Sequence, residues 1–327
     1  MFRSIIIILI LFVVSCKQQK SNEYDALIDK DKIKELTETN RSDVFFNHLY
    51  IVVDSLTYAR LIENGGWHEV YANFDEGLPN FNPINENTST CYLRGHQHYI
   101  EILGPNNRYN EPVGKSGLGF MLENPKEHFH LGLKPKMKKI KDSLLYASET
   151  VKMPLKNGEE TWFKAFYTPS QGTAIHTWYG FYNPAFLDSL YQDKHYTYDR
   201  KVFLKNTYDE NRLFNGISAI ELNCTLNDYF RIGQELANLR CNLLERNGDT
   251  LIIQGGDIKV TLSPSSNLEY SHISKIHCDL NHSENSTTHL GNVVITNNGN
   301  ESIWDLNQLH KNNSTNNNKL IYQRNDL

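Results

Sequence analysis

Three stretches of the chain show one predicted order of secondary structure, in which a strand is followed by a helix and then by further strands. The stretches begin near residues 45, 117 and 216 of the 327-residue chain. In the first two, three strands follow the helix and complete a βαβββ unit, and the third repeats the start of that unit. The pattern predicts an α+β fold of repeated βαβββ modules, with a partial third module towards the C-terminus.

Local periodicity places the boundaries of these elements. The first strand is a run of β-branched and aromatic residues over 45–53, and a helix over 55–64 ends at Gly65-Gly66. Gly255-Gly256 indicates a hairpin turn in the third stretch. Further strands are predicted at 70–74, 89–94, 98–103, 117–122, 144–153, 161–167, 174–182, 216–224, 251–254, 257–262, 273–280 and 292–296, and further helices at 127–140 and 226–239.

The first residues are typical of a targeting segment. Residues 5–14 form an apolar run behind a single arginine, and this run is too short to cross about 30 Å of hydrocarbon. The following Val13-Val14-Ser15-Cys16 resembles the lipobox of bacterial lipoprotein signal peptides, a resemblance that implies acylation of Cys16. We therefore expect a signal peptide at 1–15 and a flexible tether at 16–43. Membrane lipid would be a partner, and the protein would be a membrane-anchored lipoprotein of the cell envelope, on the periplasmic side or the outer-membrane surface.

Composition and missing motifs exclude several classes of protein. The formal net charge of -5 gives no support to nucleic-acid binding, which needs a basic face. P-loop, GxGxxG, GxSxG and HExxH motifs are absent from the sequence, so kinase, dinucleotide-binding, serine-hydrolase and zincin functions lack support. Besides Cys16 there are four cysteines without CxxC spacing, which disfavours a zinc site of the usual kind. Cys224 and Cys241 could form a disulfide, and four buried thiols are the alternative; the other two are Cys91 and Cys278.

Short motifs at matching places in the modules carry a resemblance to a known superfamily. Asn47-His48 opens the first strand, Glu101 lies in the fourth, and Gly117-Leu118-Gly119 begins the second module. With the βαβββ order, these motifs resemble the vicinal oxygen chelate superfamily, which contains glyoxalase I, bleomycin-resistance proteins and extradiol dioxygenases. The resemblance implies a paired glyoxalase-like domain over 44–190, in which two modules form a curved mixed sheet around a cavity. A module-like C-terminal α+β region would cover 200–298, and a polar, Asn-rich tail 299–327.

The same resemblance implies a site. A histidine on the first strand and a glutamate on the fourth face the cavity in catalytic members, so His48 and Glu101 would be its metal ligands, for Zn, Ni, Mn or Fe. The second module departs from this pattern, because it offers Gly119 or Phe120 and Tyr179 at the matching places. His176, His96, His98 or Glu221 could complete the ligand set, and the alternation of a strand does not choose among them.

Two functions remain open at this point. In the first, the protein is a membrane-tethered lipoprotein whose glyoxalase-like cavity, with His48, Glu101 and Tyr179, binds a small ligand and whose metal site is incomplete. In the second, it is a divalent-metal-dependent lyase, isomerase or dioxygenase acting on a small oxygenated substrate in the periplasm. The incomplete ligand set favours binding, and the sequence leaves open whether the protein is an enzyme.

Overall fold

The computed structural model of the protein describes residues 43–123, 137–140, 143–167 and 175–310. The predictions for the signal peptide, for Cys16 and for the tether up to residue 42 lie outside the described residues. The same is true of the predicted helix over 127–136 and of the tail from residue 311 onwards.

The first module has the predicted βαβββ order with one additional helix. Its strands are β1 (Asp43–Val52), β2 (Asn73–Asp75), β3 (Thr90–Arg94) and β4 (Tyr99–Leu103), and its helices are α1 (Ser55–Glu63) and α2 (Gly65–Tyr71). The α1 helix ends before Gly65-Gly66, as predicted. The α2 helix corrects the strand predicted at 70–74, of which only residues 73 and 74 lie in β2. It forms because the Asn64 side chain caps it by accepting from the Trp67 backbone N–H, and because Trp67 and Tyr71, one turn apart, are both buried.

The second module pairs with the first in one continuous sheet. Its strands are β5 (Ser116–Glu123), β6 (Met137–Ile140), β7 (Ser143–Leu155), β8 (Gly158–Tyr167) and β9 (Ile175–Tyr182). The nine-stranded sheet has the order β2-β3-β4-β1-β5-β9-β8-β7-β6, with β1 and β5 antiparallel at its centre. Each central strand pairs in parallel with the last strand of its own module, β1 with β4 and β5 with β9. Residues 137–140, predicted as the end of a helix, are instead a strand paired with β7.

The third module is complete rather than partial. It consists of β10 (Phe214–Cys224), α5 (Leu226–Asn238), β11 (Leu243–Asn247), β12 (Thr250–Gly255) and β13 (Ile258–Pro264). Sequence periodicity missed β11 because all five of its residues are exposed at the edge of the sheet, so no apolar alternation marks it. The strands β14 (His272–Leu290) and β15 (Val293–Asp305) extend a six-stranded sheet with the order β11-β12-β13-β10-β14-β15.

The C-terminal part of the six-stranded sheet also corrects the predicted tail. Residues 299–305 belong to β15, and residues 307–310 form one helical turn. Trp304, Leu306 and Leu309 are almost fully buried in the core. Their burial explains why this polar stretch of sequence is part of the folded protein up to residue 310.

The two sheets pack face to face and share the larger core. Side chains such as Phe46 and Leu49 of β1 lie in one buried cluster with Ile220 and Leu222 of β10. The opposite face of the nine-stranded sheet carries a second, aromatic cluster beneath α3 (Pro184–Tyr191) and α4 (Arg200–Leu204). The fold class predicted from the sequence, α+β with repeated βαβββ modules, is therefore confirmed.

A buried ion network fixes the third module on the second. Arg231 of α5 contacts Asp228 at 2.9 Å and Glu235 at 3.2 Å, and all three side chains are almost fully buried. Arg231 also donates to the Thr177 hydroxyl of β9 at 2.6 Å. Because a buried charge is costly unless it is paired and hydrogen-bonded, this network specifies how α5 lies against β9.

The four cysteines of the described part of the chain are free thiols, and Cys91, Cys224 and Cys278 are buried. The possible disulfide between Cys224 and Cys241 is therefore wrong. Burial raises the pKa of Cys241 to about 11, so this half-buried thiol stays protonated near neutral pH.

Candidate functional site

The structure places His48 and Glu101 on one face of the nine-stranded sheet. In the parallel pair β1–β4, His48 is level with Tyr99 and Tyr50 is level with Glu101. Residues two apart on a strand point to the same side, so these four side chains share a face, which we call the His48 face. The His48 and Tyr99 rings stack at 4.2 Å between centroids, as this register requires.

A β-bulge sets the orientation of His48. The pairing between β1 and β5 shifts after Phe46, so that Asn47 is an extra residue in β1. The Asn47 side-chain Oδ1 lies 2.7 Å from His48 Nδ1. Because a carbonyl oxygen only accepts, Nδ1 carries the proton and Nε2 keeps its lone pair. Burial, with a smaller contribution from Arg94, lowers the pKa of His48 to about 3, so the imidazole is neutral.

Glu101 is turned towards the edge strands of the first module. Its carboxylate accepts a hydrogen bond of 2.8 Å from the Tyr92 hydroxyl. Arg108 donates from Nη2 to the hydroxyls of Tyr92 at 3.1 Å and Tyr109 at 2.7 Å. Burial raises the pKa of Glu101, although the Tyr92 hydrogen bond and Arg108 oppose this effect. The result is a half-buried polar cluster in which one carboxylate and one guanidinium share Tyr92.

His48 and Glu101 do not form one chelating pair. Their Cα atoms are two residues apart along adjacent strands, which corresponds to roughly 8 Å. His48 is enclosed by the Tyr99 and Trp178 rings, whereas the carboxylate of Glu101 faces Tyr92. Among residues 43–123, 137–140, 143–167 and 175–310, no group of three His, Cys, Asp or Glu side chains is placed to hold a metal ion.

In the second module, an aromatic ring covers the residue that matches His48. Gly119 lies opposite His48 in the β1–β5 register and level with Trp178 in the β5–β9 register. A Cβ atom on Gly119 would come within 2.4 Å of the Trp178 ring, and one on Gly117 within 2.2 Å of Tyr50. The two glycines of Gly117-Leu118-Gly119 therefore allow the Trp178 and Tyr50 rings to lie flat on β5.

The prediction that Tyr179 lines the cavity with His48 is wrong. Tyr179 lies on the other face of β9, where its hydroxyl donates to Glu235 at 2.6 Å and its ring stacks on Phe120. The match of Tyr179 with Glu101 is displaced by one residue, because His48 is level with Tyr99 whereas Gly119 is level with Trp178. Such a slip exchanges the two faces of a strand, and it is Trp178 that lies beside His48.

The other candidate ligands are dispersed over the molecule. His176 lies on the His48 face and stacks on Trp178 with a centroid distance of 5.6 Å. Glu221 belongs to the six-stranded sheet and pairs with His277 at 2.7 Å. His96 stacks on Tyr208 at 5.0 Å. Of these, only His176 extends the site around His48.

His98 has a structural role that sequence reasoning missed. It is buried; its Nε2 contacts Asp257 Oδ2 at 3.0 Å and its Nδ1 accepts from the Ile217 backbone N–H at 3.2 Å. Asp257 also accepts from Arg200 at 2.8 Å and, through Oδ1, from the Phe46 backbone N–H at 2.8 Å. Asp257 follows the Gly255-Gly256 hairpin, so the third module holds β1 immediately before the bulge that orients His48.

A strip of aromatic residues runs across the His48 face. Tyr167 and His176 meet edge to face at 5.1 Å, His176 stacks on Trp178, and Trp178 stacks on Tyr50 at 6.1 Å. Tyr92, level with Glu101 on β3, continues the strip to the cluster with Arg108. Except for Trp178, these rings are only partly buried. The aromatic strip, as we call these five residues, therefore offers ring faces at one end and hydrogen-bonding groups at the other.

Two cavities share residues 87–89 of the first module as part of their walls. One, of about 430 Å³, lies between α1 and residues 86–89 and 104–106. The other, of about 280 Å³, lies between the loop 76–82, residues 87–90 and Arg108. Arg108 thus belongs both to the wall of the smaller cavity and to the Tyr92–Glu101 cluster.

Among the described residues, no helix is long and apolar enough to cross a bilayer.

Comparison with solved structures finds distant likenesses. A hypothetical protein from Staphylococcus aureus is 13% identical with a TM-score of 0.38, and the match covers 70% of this chain and 88% of that one. A xylose isomerase-like TIM barrel/4-hydroxyphenylpyruvate dioxygenase fusion protein is 11% identical with a TM-score of 0.37, and the match covers 75% of this chain but only 38% of the fusion protein.

Comparison with curated proteins finds no match. A family model, in contrast, matches residues 46–306, a span that includes both sheets, the bulge at Asn47 and the aromatic strip. The chain belongs to the family of unknown function DUF5829.

Proposed function

We propose that the protein is a lipoprotein of the cell envelope whose paired modules, of the vicinal oxygen chelate type, bind a small planar ligand on the His48 face. The parallel pairing of the first and last strands within each module, and the antiparallel β1–β5 pair between modules, support this superfamily. The lipobox-like Val13-Val14-Ser15-Cys16 supports attachment through an acylated Cys16.

The observation that carries the binding proposal is the aromatic strip, with polar groups on the same face. The Trp178 and Tyr50 rings lie flat on the two glycines of β5. A ring of the ligand can therefore stack beside them without moving the backbone of the sheet. Glu101 supplies an acceptor at one end of the strip, and Arg108 supplies donors. Apolar rings with a few placed polar groups are what small-molecule sites in proteins typically offer.

The set of available ligand atoms at this face favours binding over metal chemistry. His48 is neutral and has one ring nitrogen engaged with Asn47, so Nε2 can accept a hydrogen bond from a ligand hydroxyl. A catalytic metal needs at least three protein ligands around an open position. The place opposite His48 on β5 is a glycine covered by indole, which cannot supply one. A metal-dependent lyase, isomerase or dioxygenase is the alternative, and metal content tests it directly.

Calorimetric titration of the full chain with 4-hydroxybenzyl alcohol, a neutral planar probe with two hydroxyls, tests the proposal. We expect saturable binding that weakens about tenfold in His48→Gln and in Glu101→Gln, because the first change replaces the ring acceptor Nε2 by a differently placed amide and the second replaces one carboxylate oxygen by an NH2 donor. The matched controls are His277→Gln and Glu221→Gln, a half-buried pair on the six-stranded sheet, which should bind like the wild type.

Two outcomes would contradict the proposal. Equal affinities in the site variants and the control variants would show that the probe does not bind on the His48 face. About one equivalent of tightly held divalent metal in the wild type, lost in His48→Gln, would favour the metal-dependent enzyme instead. Elemental analysis of the same protein samples provides this second measurement.

A further inference from the structure

The smaller cavity beside the polar end of the aromatic strip has walls that are fixed by hydrogen bonds. Asp75 Oδ1 accepts from the Gly77 backbone N–H at 2.6 Å, and the Glu76 backbone N–H donates to the Asn82 carbonyl at 2.8 Å. Gly77 has a φ of +83°, and a Cβ atom there would lie 2.5 Å from the Tyr92 ring. The loop 76–82 therefore rests directly on Tyr92, and its shape is set before any ligand arrives.

Thr90 lines this cavity, and its buried hydroxyl is unsatisfied. It is 6% exposed, and its Oγ1 has no hydrogen-bond partner among the described residues. Thr90 is two residues from Tyr92 on β3 and so points to the same face of the sheet. A buried hydroxyl without a partner costs free energy. A ligand that accepts a hydrogen bond from Thr90 Oγ1 would remove this cost and so gain affinity.

Arg108 brings a positive charge to the same cavity. Both of its hydrogen bonds, to Tyr92 and to Tyr109, come from Nη2. Within the described part of the chain, its Nη1 and Nε groups have no acceptor. A guanidinium presents its N–H groups in a fixed fork that matches the two oxygens of a carboxylate.

The opposite wall carries an acceptor. Glu76 lines the cavity, and its Oε1 accepts from Asn85 Nδ2 at 2.9 Å and from Thr88 Oγ1 at 2.7 Å. Its Oε2 has no donor among the described residues. A negatively charged wall disfavours a ligand with two negative charges, but it can accept a hydrogen bond from a hydroxyl of the ligand.

We propose that the cavity binds a small hydroxycarboxylate, with the carboxylate on Arg108 and Thr90 and the hydroxyl donating to Glu76. The volume of about 280 Å³ supports a compact ligand group, because sites for drug-sized molecules begin at about 300 Å³. A single ligand could occupy both this cavity and the aromatic strip, and it would then be a planar molecule with a hydroxy-acid end. Only this joint assignment rests on the proposed function.

Titration of the full chain with L-lactate and with L-lactamide tests the cavity by itself. Lactamide has nearly the same shape but no charge, so we expect it to bind at least about tenfold more weakly than lactate. Thr90→Val and Arg108→Gln should each weaken lactate binding by about tenfold or more. Ser116→Ala is the matched control, because Ser116 is likewise a buried strand residue whose hydroxyl has no partner in the described structure, and Ser116 does not line the cavity.

A measurement without ligand separates binding from folding. Removal of an unsatisfied buried hydroxyl should leave the melting temperature of Thr90→Val and Ser116→Ala unchanged or raised. Only Thr90→Val should also lose lactate affinity. Equal lactate affinity in Thr90→Val, Arg108→Gln and the wild type would overturn the inference, and so would equal binding of lactate and lactamide.

The same variants distinguish this inference from the proposed function. Loss of lactate binding in Thr90→Val with unchanged binding of 4-hydroxybenzyl alcohol supports two adjoining subsites. If lactate binds as expected but the neutral planar probe does not, the hydroxycarboxylate site stands and the proposed function fails. If the planar probe binds and lactate does not, the proposed function stands and the hydroxycarboxylate site is wrong.

Discussion

The two modules of the nine-stranded sheet have the same strand order about the central β1–β5 pair, but they carry different chemistry on the His48 face. The first module presents polar groups on its outer strands, among them Arg94 and Glu101. The second has two glycines on β5, on which the rings of Trp178 from β9 and Tyr50 from β1 lie, and α3 and α4 cover an aromatic cluster on the same face of the sheet. Strand pairing uses the backbone, so a repeated topology leaves each side chain free to differ. The likeness of two modules therefore does not imply two equivalent half-sites.

The difference extends to the ion pair in one hairpin of each module. In the first module, Arg94 and Asp75 join β3 to β2 at 2.7 Å with both side chains almost fully buried. In the second, Lys152 and Glu159 join β7 to β8 at 2.9 Å with side-chain exposures of 52% and 61%. Removing one partner of the first pair is expected to destabilise the protein strongly, because the other partner would remain as a buried charge with neither a counter-charge nor water around it.

The largest effect is expected at the buried pair. Asp75→Asn should lower the free energy of unfolding by about 3–5 kcal/mol, because the buried Arg94 guanidinium loses its counter-charge. The rings of Phe81, Tyr92 and Tyr99, which surround Arg94 at 4.7–5.3 Å, cannot replace a carboxylate. Chemical denaturation monitored by circular dichroism measures this loss.

The exposed pair of the second module is the matched control for that prediction. Glu159→Gln should change the free energy of unfolding by less than about 1 kcal/mol, as is usual for a solvated ion pair. Similar losses in Asp75→Asn and Glu159→Gln would mean that burial does not distinguish the two hairpins.

The next effect concerns His48 and pH. The pKa of His48 is about 3 in the folded protein, against 6.5 for the unfolded side chain, so the unfolded chain binds the additional proton between these values. The stability that the neutral imidazole contributes is therefore fully present above pH 6.5 and falls as the pH decreases. At pH 5 the loss amounts to about 2 kcal/mol.

Denaturation curves at pH 7.5 and pH 5 for the wild type and for His48→Gln isolate this contribution. Glutamine does not titrate and can still donate to Asn47, so the variant should lose less stability than the wild type on acidification. Identical pH dependence in the two proteins would show that His48 is protonated as readily in the folded state as in the unfolded state.

An effect of similar size to that of His48 is expected on the aromatic side of the comparison. Gly119→Ala should destabilise the protein by about 1–3 kcal/mol, because the new methyl group meets the Trp178 ring, which must move. It should also weaken binding of the planar probe, since Trp178 is part of the aromatic strip. Thermal unfolding and the same titration measure the two consequences.

Gly66→Ala provides the control, since a Cβ atom there has no neighbour within 4 Å. This variant should bind the probe like the wild type and be at least as stable, because alanine is favoured over glycine within a helix. A Gly119→Ala protein that behaves like Gly66→Ala would contradict the explanation given for the Gly117-Leu118-Gly119 motif.

Most of the order of strands and helices was predictable from the sequence. Strand periodicity and turn residues are local signals, and they located β1, β3, β4, β5, the strands from β7 to β10, β12 and β13, as well as α1 and α5. They failed where the local signal was weak or misleading. The exposed β11 has no alternation, residues 70 and 71 end a helix where a strand was predicted, and residues 137–140 join a sheet despite a helix-like sequence.

The site divides in the same way. The sequence by itself determined which residue types are present, and the resemblance it carries pointed to His48 and Glu101, which the fold places on one face. Only the tertiary structure decided that Trp178 and not Tyr179 lies beside His48, because a shift of one residue between strands reverses a face. It also brought Asp257 to His98 and Phe46, across more than 150 residues of chain. Contacts of that kind depend on how sheets pack, and no local periodicity encodes them.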